Sequence, residues 1–426
     1  MILRRPIVAK AVAAVAAIVL ATGVRAENPS PPGYVTPAGQ ILDAVEKSKP
    51  SKGTLIPADL ASRLGAAHVA GKYSFTEQPF LIEGCDDLIK LGFRGVKLWF
   101  AKMGEAYPTH SEWNLPPGYT LTDLARHPYF DAVFNKPFEI FALEVQPIED
   151  GPNRAPQGFA MNPDSDFAED EKQIHDLAAY LLEKFKDRPV TFLLQNWEGD
   201  WMMRGGAKAQ WAKGEYPDLE RRSQAFIRWL NARQRGVERA RAEHPGSQCK
   251  VLHAVEVNQV LATWKGVPTM VSEVLPHAKT DLVSWSCYDG MRNDKKSADQ
   301  TAIGLWQGIE TIRHFARAAH DGKEVPVYLG EIGIPEQKGF TPENIRAIWD
   351  GAFGTLFALH IPYIFQWQLY DNEIKDGVPH DKKSYPAEEL NGYWIRRPDG
   401  TLSPTGEYLI RLLQSAGHPL KPDPNT

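Results

Sequence analysis

The chain has 426 residues, of which 43% are hydrophobic and 24% are charged, and its formal net charge is −5. This composition is ordinary for a soluble protein, and no basic stripe is present that would neutralise phosphates, so nucleic-acid binding is excluded as a function class. The length permits two or three average domains, but it also permits a single α/β barrel with insertions. The order of the predicted elements decides between them.

The N-terminus has the three-part pattern of a secretory signal. Arg4, Arg5 and Lys10 precede an apolar run over residues 11–22, and a small-residue site ends at Ala26. This pattern predicts a signal peptide over 1–26, cleaved after Ala26, and a secreted or periplasmic protein. The apolar run is short for a transmembrane span, so we expect no stable membrane insertion after cleavage. A retained signal anchor is the weaker alternative.

The cysteines exclude a disulfide framework and a structural zinc site. The chain has only Cys85, Cys249 and Cys287, so at most one disulfide can form, and whether any two of them pair is left open. Their wide spacing lacks the paired clusters of a structural zinc site. No metal and no organic cofactor are implied.

Apolar runs recur along the chain after a Pro-rich lead or linker over residues 27–60. Each run has the length of a buried strand. The eight predicted strands are Ala67 to Phe75, Gly95 to Phe100, Phe138 to Val145, Val190 to Asn196, Val251 to Val257, Leu282 to Cys287, Val325 to Leu329 and Ile361 to Trp367. We therefore predict a single domain over 61–418, followed by a tail over 419–426.

Helix-like segments lie between these strands. The apolar stripe from Ile174 to Phe185 has the helical period, and Leu219 to Glu243 has the arginine-rich face of a solvated helix. Thr341-Pro342 is a typical helix start. Eight alternating βα units predict an α/β fold of the (β/α)8 TIM-barrel type, with a doubly wound open sheet as the alternative.

Loop lengths predict where the functional site lies. The connections from helix to strand are short, whereas those that follow strands are long, notably 101–120, 146–166 and 369–402. In a barrel the long loops gather at the C-terminal face, where active sites are built. The predicted site therefore lies at that face.

Two glutamates stand where predicted strands end. Glu198 follows Gln195-Asn196-Trp197, and Glu331 lies in a Gly-Glu-x-Gly turn. Period-two alternation places Glu198 in phase with Phe192 and Leu194, and Glu331 in phase with Val327 and Leu329, and both are expected at the barrel mouth. A pair of carboxylates there suggests acid and nucleophile chemistry, whereas the alternative is a structural ion-pair role for each.

Several other residues compete for roles in the same cleft. Glu144 and Glu256 also end apolar runs, and Lys97 is unusual within an apolar strand, where its ammonium needs carboxylate partners. Tyr288 could donate its hydroxyl to the carboxylate on strand seven. Trp367 could form the floor under a sugar ring or be a core aromatic.

These residues resemble the retaining glycoside hydrolases of clan A, most closely the family 5 cellulase-like enzymes. The segment Gly92 to Phe100 looks like the second-strand motif of that family, with Lys97 in place of the usual arginine. Leu282 to Asp289 looks like its sixth-strand motif, with Ser286 in place of histidine and Tyr288 retained. Gly330-Glu331-Ile332-Gly333 is similar to its Gly-Glu-Phe-Gly, and Trp367 matches its platform on strand eight.

The resemblance implies residue roles. In that clan the acid/base glutamate ends strand four and the nucleophile ends strand seven, which implies Glu198 as the acid/base and Glu331 as the nucleophile. Here Trp197 separates Asn196 from Glu198, a departure from the Asn-Glu of the clan. Together with Lys97 and Ser286, this indicates a distant or separate family of the clan.

The resulting expectation is a secreted retaining glycoside hydrolase that cleaves a β-linked polysaccharide or oligosaccharide through a glycosyl-enzyme. Such enzymes hold their two carboxyl groups about 5–5.5 Å apart. The alternatives are a barrel that binds carbohydrate without catalysis and a transglycosylase of the same clan. The predicted substrate-binding residues are Asn196, Trp197, Trp201, Lys97, Glu256, Trp285, Tyr288 and Trp367.

Overall fold

The structure is a computed structural model of the chain, and it describes residues 55–101, 103–146, 164–203, 218–291 and 297–420. The predicted signal peptide over 1–26 lies outside these residues, as do most of the predicted lead and most of the predicted loop 146–166. The signal peptide and the domain boundaries therefore stay predictions.

Eight parallel strands form a closed barrel in chain order, with β1 paired to β8. This confirms the predicted (β/α)8 barrel, and the open-sheet alternative is wrong because the sheet closes. The strands are β1 (Leu64–Ala67), β2 (Gly95–Phe100), β3 (Ile140–Val145), β4 (Thr191–Gln195), β5 (Lys250–Val257), β6 (Leu282–Ser286), β7 (Val327–Ile332) and β8 (Ile364–Gln366).

Helices follow the strands and cover the outside of the barrel. The predicted helix Leu219–Glu243 is present with those bounds, and the predicted cap Thr341 accepts a hydrogen bond from the backbone N–H of Asn344. The α-helices are α1 (Phe80–Lys90), α2 (Met103–Ala106), α3 (Leu121–Arg126), α4 (Pro128–Phe134), α5 (Ala168–Lys184), α6 (Gly199–Met203), α7 (Leu219–Glu243), α8 (Met270–Glu273), α9 (Tyr288–Met291), α10 (Ala298–Ala316), α11 (Pro342–Ala358) and α12 (Pro404–Gln414). Short 3-10 helices occur at Leu60–Ser62, Val260–Lys265, Arg317–His320 and Ala387–Glu389.

The first strand differs from the prediction. The sequence suggests Ala67 to Phe75, whereas β1 ends at Ala67. Beyond it Ala70 has a φ of +51°, in the left-handed region, so the strand geometry cannot continue there. The residues after β1 instead form part of the loop layer at the C-terminal face.

The apolar side chains of the strands face outward as well as inward. Phe192 on β4 packs against Phe134 at the end of α4 and against Phe185 just after α5, with ring centroids 5.3 and 5.6 Å apart. Its neighbour Leu193 lies instead in the small apolar cluster inside the barrel. The predicted phase is therefore wrong for β4, because Phe192 and Leu194 belong to the layer between barrel and helices.

An apolar layer fills the lower part of the barrel interior, as expected for a barrel of eight strands. It contains Ile140, Ala142, Leu193, Ala254, Leu282, Tyr328 and Phe365. Polar side chains of β2 to β7 lie above this layer, toward the C-terminal ends of the strands. The polar part of the barrel interior is thus confined to the end at which the site is predicted.

The described ends of the chain meet below the barrel. Leu55 forms an antiparallel bridge with Pro419, and Ile56 and Leu420 are buried. Cys85, Cys249 and Cys287 are all buried and unpaired, so no disulfide links them. Among the described residues, no helix has both the length and the apolar character needed to cross a bilayer.

Candidate active site

A cleft of about 420 Å³ opens at the C-terminal ends of the strands. It brings together both predicted catalytic glutamates and four of the predicted substrate-binding aromatic residues. The lining residues are Trp99, Trp197, Glu198, Trp201, Asn258, Gln259, Tyr288, Glu331, Trp367, Asn372, Glu373 and Tyr393. A concave site with six aromatic rings, three carboxamides and three carboxylates suits a polyhydroxylated ligand with apolar ring faces.

Glu331 reaches this cleft because β7 is irregular. Trp285 pairs with Leu329 and the next residue, Ser286, pairs with Glu331, so Gly330 is an extra residue in the register. A Cβ atom on Gly330 would overlap the side-chain oxygens of Ser284 and Glu256 inside the barrel. Gly330 and Glu331 therefore both face the interior, which strict alternation does not allow but a bulge does. The predicted phase of Glu331 with Leu329 is wrong for this reason.

Both oxygens of the Glu331 carboxylate are held by donors. Lys97 Nζ donates to Oε1 over 2.7 Å, and the Tyr288 hydroxyl donates to Oε2 over 3.1 Å. Burial raises the pKa of Glu331 to about 7, because the charged form loses its hydration. The Lys97 charge and both hydrogen bonds oppose that rise, whereas the nearby Glu256 adds to it.

Lys97 lies fully buried below the cleft, among three carboxylates. Its Nζ is 2.7 Å from Glu331, 3.2 Å from Glu256 and 3.9 Å from Glu144. One oxygen from each of the three glutamates lies within 4.8 Å of the others. Burial raises the pKa of Glu144 well above its usual range, and the charges of Glu256 and Glu331 act in the same direction.

Glu256 is tied into the strands on either side of it. Its Oε2 accepts hydrogen bonds from Gln195 Nε2 over 2.6 Å and from Ser284 Oγ over 2.7 Å, in addition to Lys97. Gln195 in turn accepts from the Tyr328 hydroxyl over 2.5 Å. Polar side chains from β2, β4, β5, β6 and β7 thus form one buried network under the cleft.

The loop that carries Glu198 is fixed to the loop after β5. Buried Asp200 accepts backbone hydrogen bonds from Asn258, Gln259 and Met270 at 2.8–3.1 Å. A Cβ atom on Gly199 would lie 2.6 Å from the carbonyl oxygen of Glu256, so the close approach requires glycine. Glu198 therefore lies on a short turn whose position both loops determine.

The loop after β8 closes the other side of the cleft. Buried Asp371 accepts hydrogen bonds from the backbone N–H groups of Gly392, Tyr393 and Glu373. Burial raises the pKa of Asp371 to about 7. These bonds hold Glu373 and Tyr393 in the cleft wall, and the Tyr393 ring lies edge-on to Tyr288 with centroids 5.9 Å apart.

Four predicted substrate contacts are corrected by these positions. Trp285 is fully buried, and its indole fills the space left by Gly290 and Gly308 on the helix side of β6. Asn196 is also fully buried, and its side chain bonds the backbone N–H and carbonyl of Glu256. Lys97 and Glu256 lie below the cleft rather than in its lining. These four residues are therefore not part of the cleft lining.

Six lining residues are not among the catalytic and substrate-binding residues named above, although Asn258 after the fifth strand is a candidate for the lining from the sequence. Trp99 lies two residues after Lys97 on β2, and Asn258 directly follows β5, so each occupies a strand end of the kind used to find Glu198. Gln259, Asn372, Glu373 and Tyr393 lie in loops. The sequence indicates a place in the cleft lining only for the residues at strand ends. Whether a loop residue lines the cleft depends on how its loop folds back over the barrel.

Comparison with solved structures gives the class of fold. A GH5_18 from Bifidobacterium longum subsp. infantis aligns with a TM-score of 0.50 and 16% identity over 84% of this chain and 80% of that one. An exo-beta-1,4-mannosidase from Opitutaceae bacterium strain TAV5 gives a TM-score of 0.46 and 14% identity, over 85% of this chain and 59% of that longer one. At such identities the likeness concerns the fold alone, and the TM-score of the second match is too low to support an argument.

The comparison thus shows a barrel fold like that of the GH5_18 structure. No protein-family model matches the sequence, and no curated protein matches it.

Proposed function

We propose that this chain is a secreted retaining glycoside hydrolase that acts on a β-linked polysaccharide or oligosaccharide. The observation that carries the proposal is that Glu198 and Glu331 line one aromatic cleft at the C-terminal face of the barrel. Active sites in this fold lie at that face. A carboxylate with both oxygens bonded to donors, opposite a second carboxylate, is suited to glycosidic chemistry.

In the proposed reaction Glu331 attacks the anomeric carbon while Glu198 protonates the departing glycosidic oxygen. The bond to the leaving group breaks as the glycosyl–Glu331 ester forms. Glu198 then removes a proton from water, which attacks the same carbon and releases Glu331 as a carboxylate. Lys97 and Tyr288 stabilise the charge of Glu331 before attack and after release.

The aromatic residues of the lining supply contact area for sugar rings. Trp197 and Trp201 lie on the loop after β4, beside Glu198, and Trp367 lies at the end of β8, with its ring centroid 6.0 Å from Lys97 Nζ. Burial of a sugar face on such rings adds binding energy without selecting one sugar. The identity of the sugar therefore has to come from experiment.

The first test is reducing-sugar release from a panel of β-glucans, mannans, xylans and bacterial exopolysaccharides. We expect release by the parent chain and a fall of at least 10³-fold, on the order expected for removing a group that acts in the transition state, in Glu198→Gln and in Glu331→Gln. Glu220→Gln, an exposed change on α7, is the matched control and should retain activity. Activity that survives both site changes would refute the assignment.

Two further measurements separate the roles and the alternatives. The anomer released first, followed by proton NMR, should keep the β configuration, whereas an inverted product would contradict the double displacement. Azide should restore product formation in Glu198→Ala as a β-glycosyl azide and in Glu331→Ala as the α form. Retained glycan binding without release would favour the non-catalytic barrel, and products longer than the substrate would favour transglycosylation.

A further inference from the structure

The buried network under the cleft has more acid groups than its one cation can neutralise. Lys97 is the ammonium among Glu144, Glu256 and Glu331, and each of the three glutamate side chains is at least 95% buried. Taking three charged carboxylates out of water around one cation is costly, so the three compete for Lys97. The way in which this competition is resolved determines the charge on Glu331.

The hydrogen bonds distinguish Glu256 from Glu144. Glu256 Oε2 accepts from three donors, Lys97, Gln195 and Ser284, and such a set stabilises a carboxylate. Glu144 Oε2 and Glu256 Oε1 both lack a hydrogen-bond partner, but Glu144 has its nearest oxygen 3.9 Å from Lys97, too far for a hydrogen bond. Burial raises the pKa of Glu144 well above its usual range, in agreement with a neutral side chain.

Lys97 is therefore shared mainly between Glu256 and Glu331, at 3.2 and 2.7 Å. We infer that Glu256 is a positioning residue for Glu331: it draws the Lys97 ammonium toward β5 and so limits how strongly the ammonium holds the cleft carboxylate in its charged form. Glu256 does not line the cleft, so it acts through Lys97 and not on a ligand. The catalytic part of this inference rests on the proposed function.

Other groups face Glu331 and have to be held constant in a test. The Tyr288 hydroxyl donates a hydrogen bond to Glu331. Cys287 lies beside Glu331, and burial raises the pKa of the Cys287 thiol. The titratable groups facing Glu331 from the packed elements are Lys97 on β2, Glu144 on β3, Glu198 after β4, Glu256 on β5, Cys287 and Tyr288 after β6, and Glu373 and Tyr393 after β8.

The test compares the same isosteric change, glutamate to glutamine, at two positions of the network. Glu256→Gln removes a charge that competes for Lys97, so the pKa of Glu331 should fall by about one unit, in the range caused by a charge at this distance. Glu144→Gln changes a side chain that makes no hydrogen bond to Lys97 and whose pKa burial raises well above its usual range, so the pKa of Glu331 should stay within a few tenths of a unit. Glu256→Met, which also removes the charge, should reproduce the shift if the glutamine variant is unstable.

The readout does not depend on catalysis. Carbon-13 NMR of chains labelled at the glutamate carboxyl carbon, with Glu331→Gln to assign the resonance, gives the titration of Glu331 in each variant. No shift of the Glu331 titration in Glu256→Gln, or an equal shift in Glu144→Gln, would overturn the inference.

Activity provides a second readout, because the acid limb of kcat/KM should move to lower pH in Glu256→Gln only. If no glycan is cleaved by the parent, the proposed function fails while the NMR titration still decides the role of Glu256. If glycans are cleaved and the NMR shows no shift, the proposed function stands and the positioning role is refuted.

Discussion

Asp200 and Asn258 exchange hydrogen bonds in both directions: the Asp200 N–H donates to Asn258 Oδ1, and the Asn258 N–H donates to Asp200 Oδ2, each over 3.0 Å. The pair joins the loop after β4, which carries Glu198, to the loop after β5, which contributes Asn258 and Gln259 to the cleft lining. The position of Glu198 therefore depends on a side chain that never contacts the cleft.

Replacing Asp200 with alanine should affect both stability and turnover. Three buried backbone N–H groups would lose their acceptor, which is expected to lower the free energy of unfolding by about 3 kcal/mol and to lower kcat more than it raises KM. Urea denaturation and steady-state kinetics measure the two effects. Asp376→Ala, at an exposed position of the β8 loop, is the control, and equal effects in both variants would contradict the role of Asp200.

A methyl group at position 330 should distort the site from below. In Gly330→Ala the new Cβ would overlap Ser284 Oγ and Glu256 Oε2, so we expect a loss of about 1–3 kcal/mol of stability and a displaced Glu331. Gly246→Ala has open space around the added atom and is the matched control. Thermal unfolding and kcat/KM are the measurements, and a fully active, stable Gly330→Ala would show that β7 is not irregular in the way described.

Two tryptophans should behave differently although both were predicted as sugar platforms. Trp285→Ala removes a fully buried ring and should cost about 3–5 kcal/mol of stability. Trp201→Ala changes a residue of the cleft lining and should mainly weaken glycan binding. Unfolding curves and glycan titrations on both variants test this, and a selective binding defect in Trp285→Ala would contradict its placement.

Acid should destabilise the barrel through His68. Burial lowers the pKa of His68 to about 4, below the ordinary value of 6.5, so the unfolded chain binds a proton that the folded chain does not. The contribution of the neutral ring is complete above pH 6.5 and is lost as the pH falls toward 4. Between pH 7 and pH 5 the free energy of unfolding should therefore fall by about 2 kcal/mol through His68 alone.

The variant His68→Gln can still donate to the Phe80 carbonyl that His68 Nε2 contacts over 2.7 Å. Its loss of stability between pH 7 and pH 5, measured by urea denaturation, should be smaller than that of the parent by this amount. Burial also lowers the pKa of His253 well below its usual range, and His253 is present in both proteins. The stability of the variant should therefore still fall to some extent as the pH is lowered. If the parent and His68→Gln lose the same amount of stability between pH 7 and pH 5, the assignment to His68 is refuted.

The fold could be predicted because parallel strands buried on both faces are continuous apolar runs and the helices between them have clear periodicity. Leu219–Glu243 and Gly95–Phe100 have the predicted bounds for this reason. The first strand was misplaced because Leu64–Ala67 is short and has small residues, so that the following segment gave a stronger apolar signal.

The two cleft glutamates were found by their positions at strand ends, but the argument from alternation gave the wrong face. In a parallel barrel the apolar residues that pack on helices are as prominent as those inside, so Phe192 and Leu329 do not show which side is the interior. The bulge at Gly330 and the burial of Trp285 depend on tertiary packing. A single sequence contains no local signal for either of them.

The apolar layer at the bottom of the barrel has a consequence for proton exchange. Among the described residues, Ile140, Leu193, Tyr328 and Phe365 belong to an apolar layer below the network around Lys97, whereas Glu331, which is part of the network, lines the cleft. A ligand that fills the cleft would cover the side of the network that faces the cleft. The number of protons held by the three glutamates would then be fixed when the ligand binds and retained until it leaves, so the pH at the moment of entry would determine the charge of the site during the whole bound period.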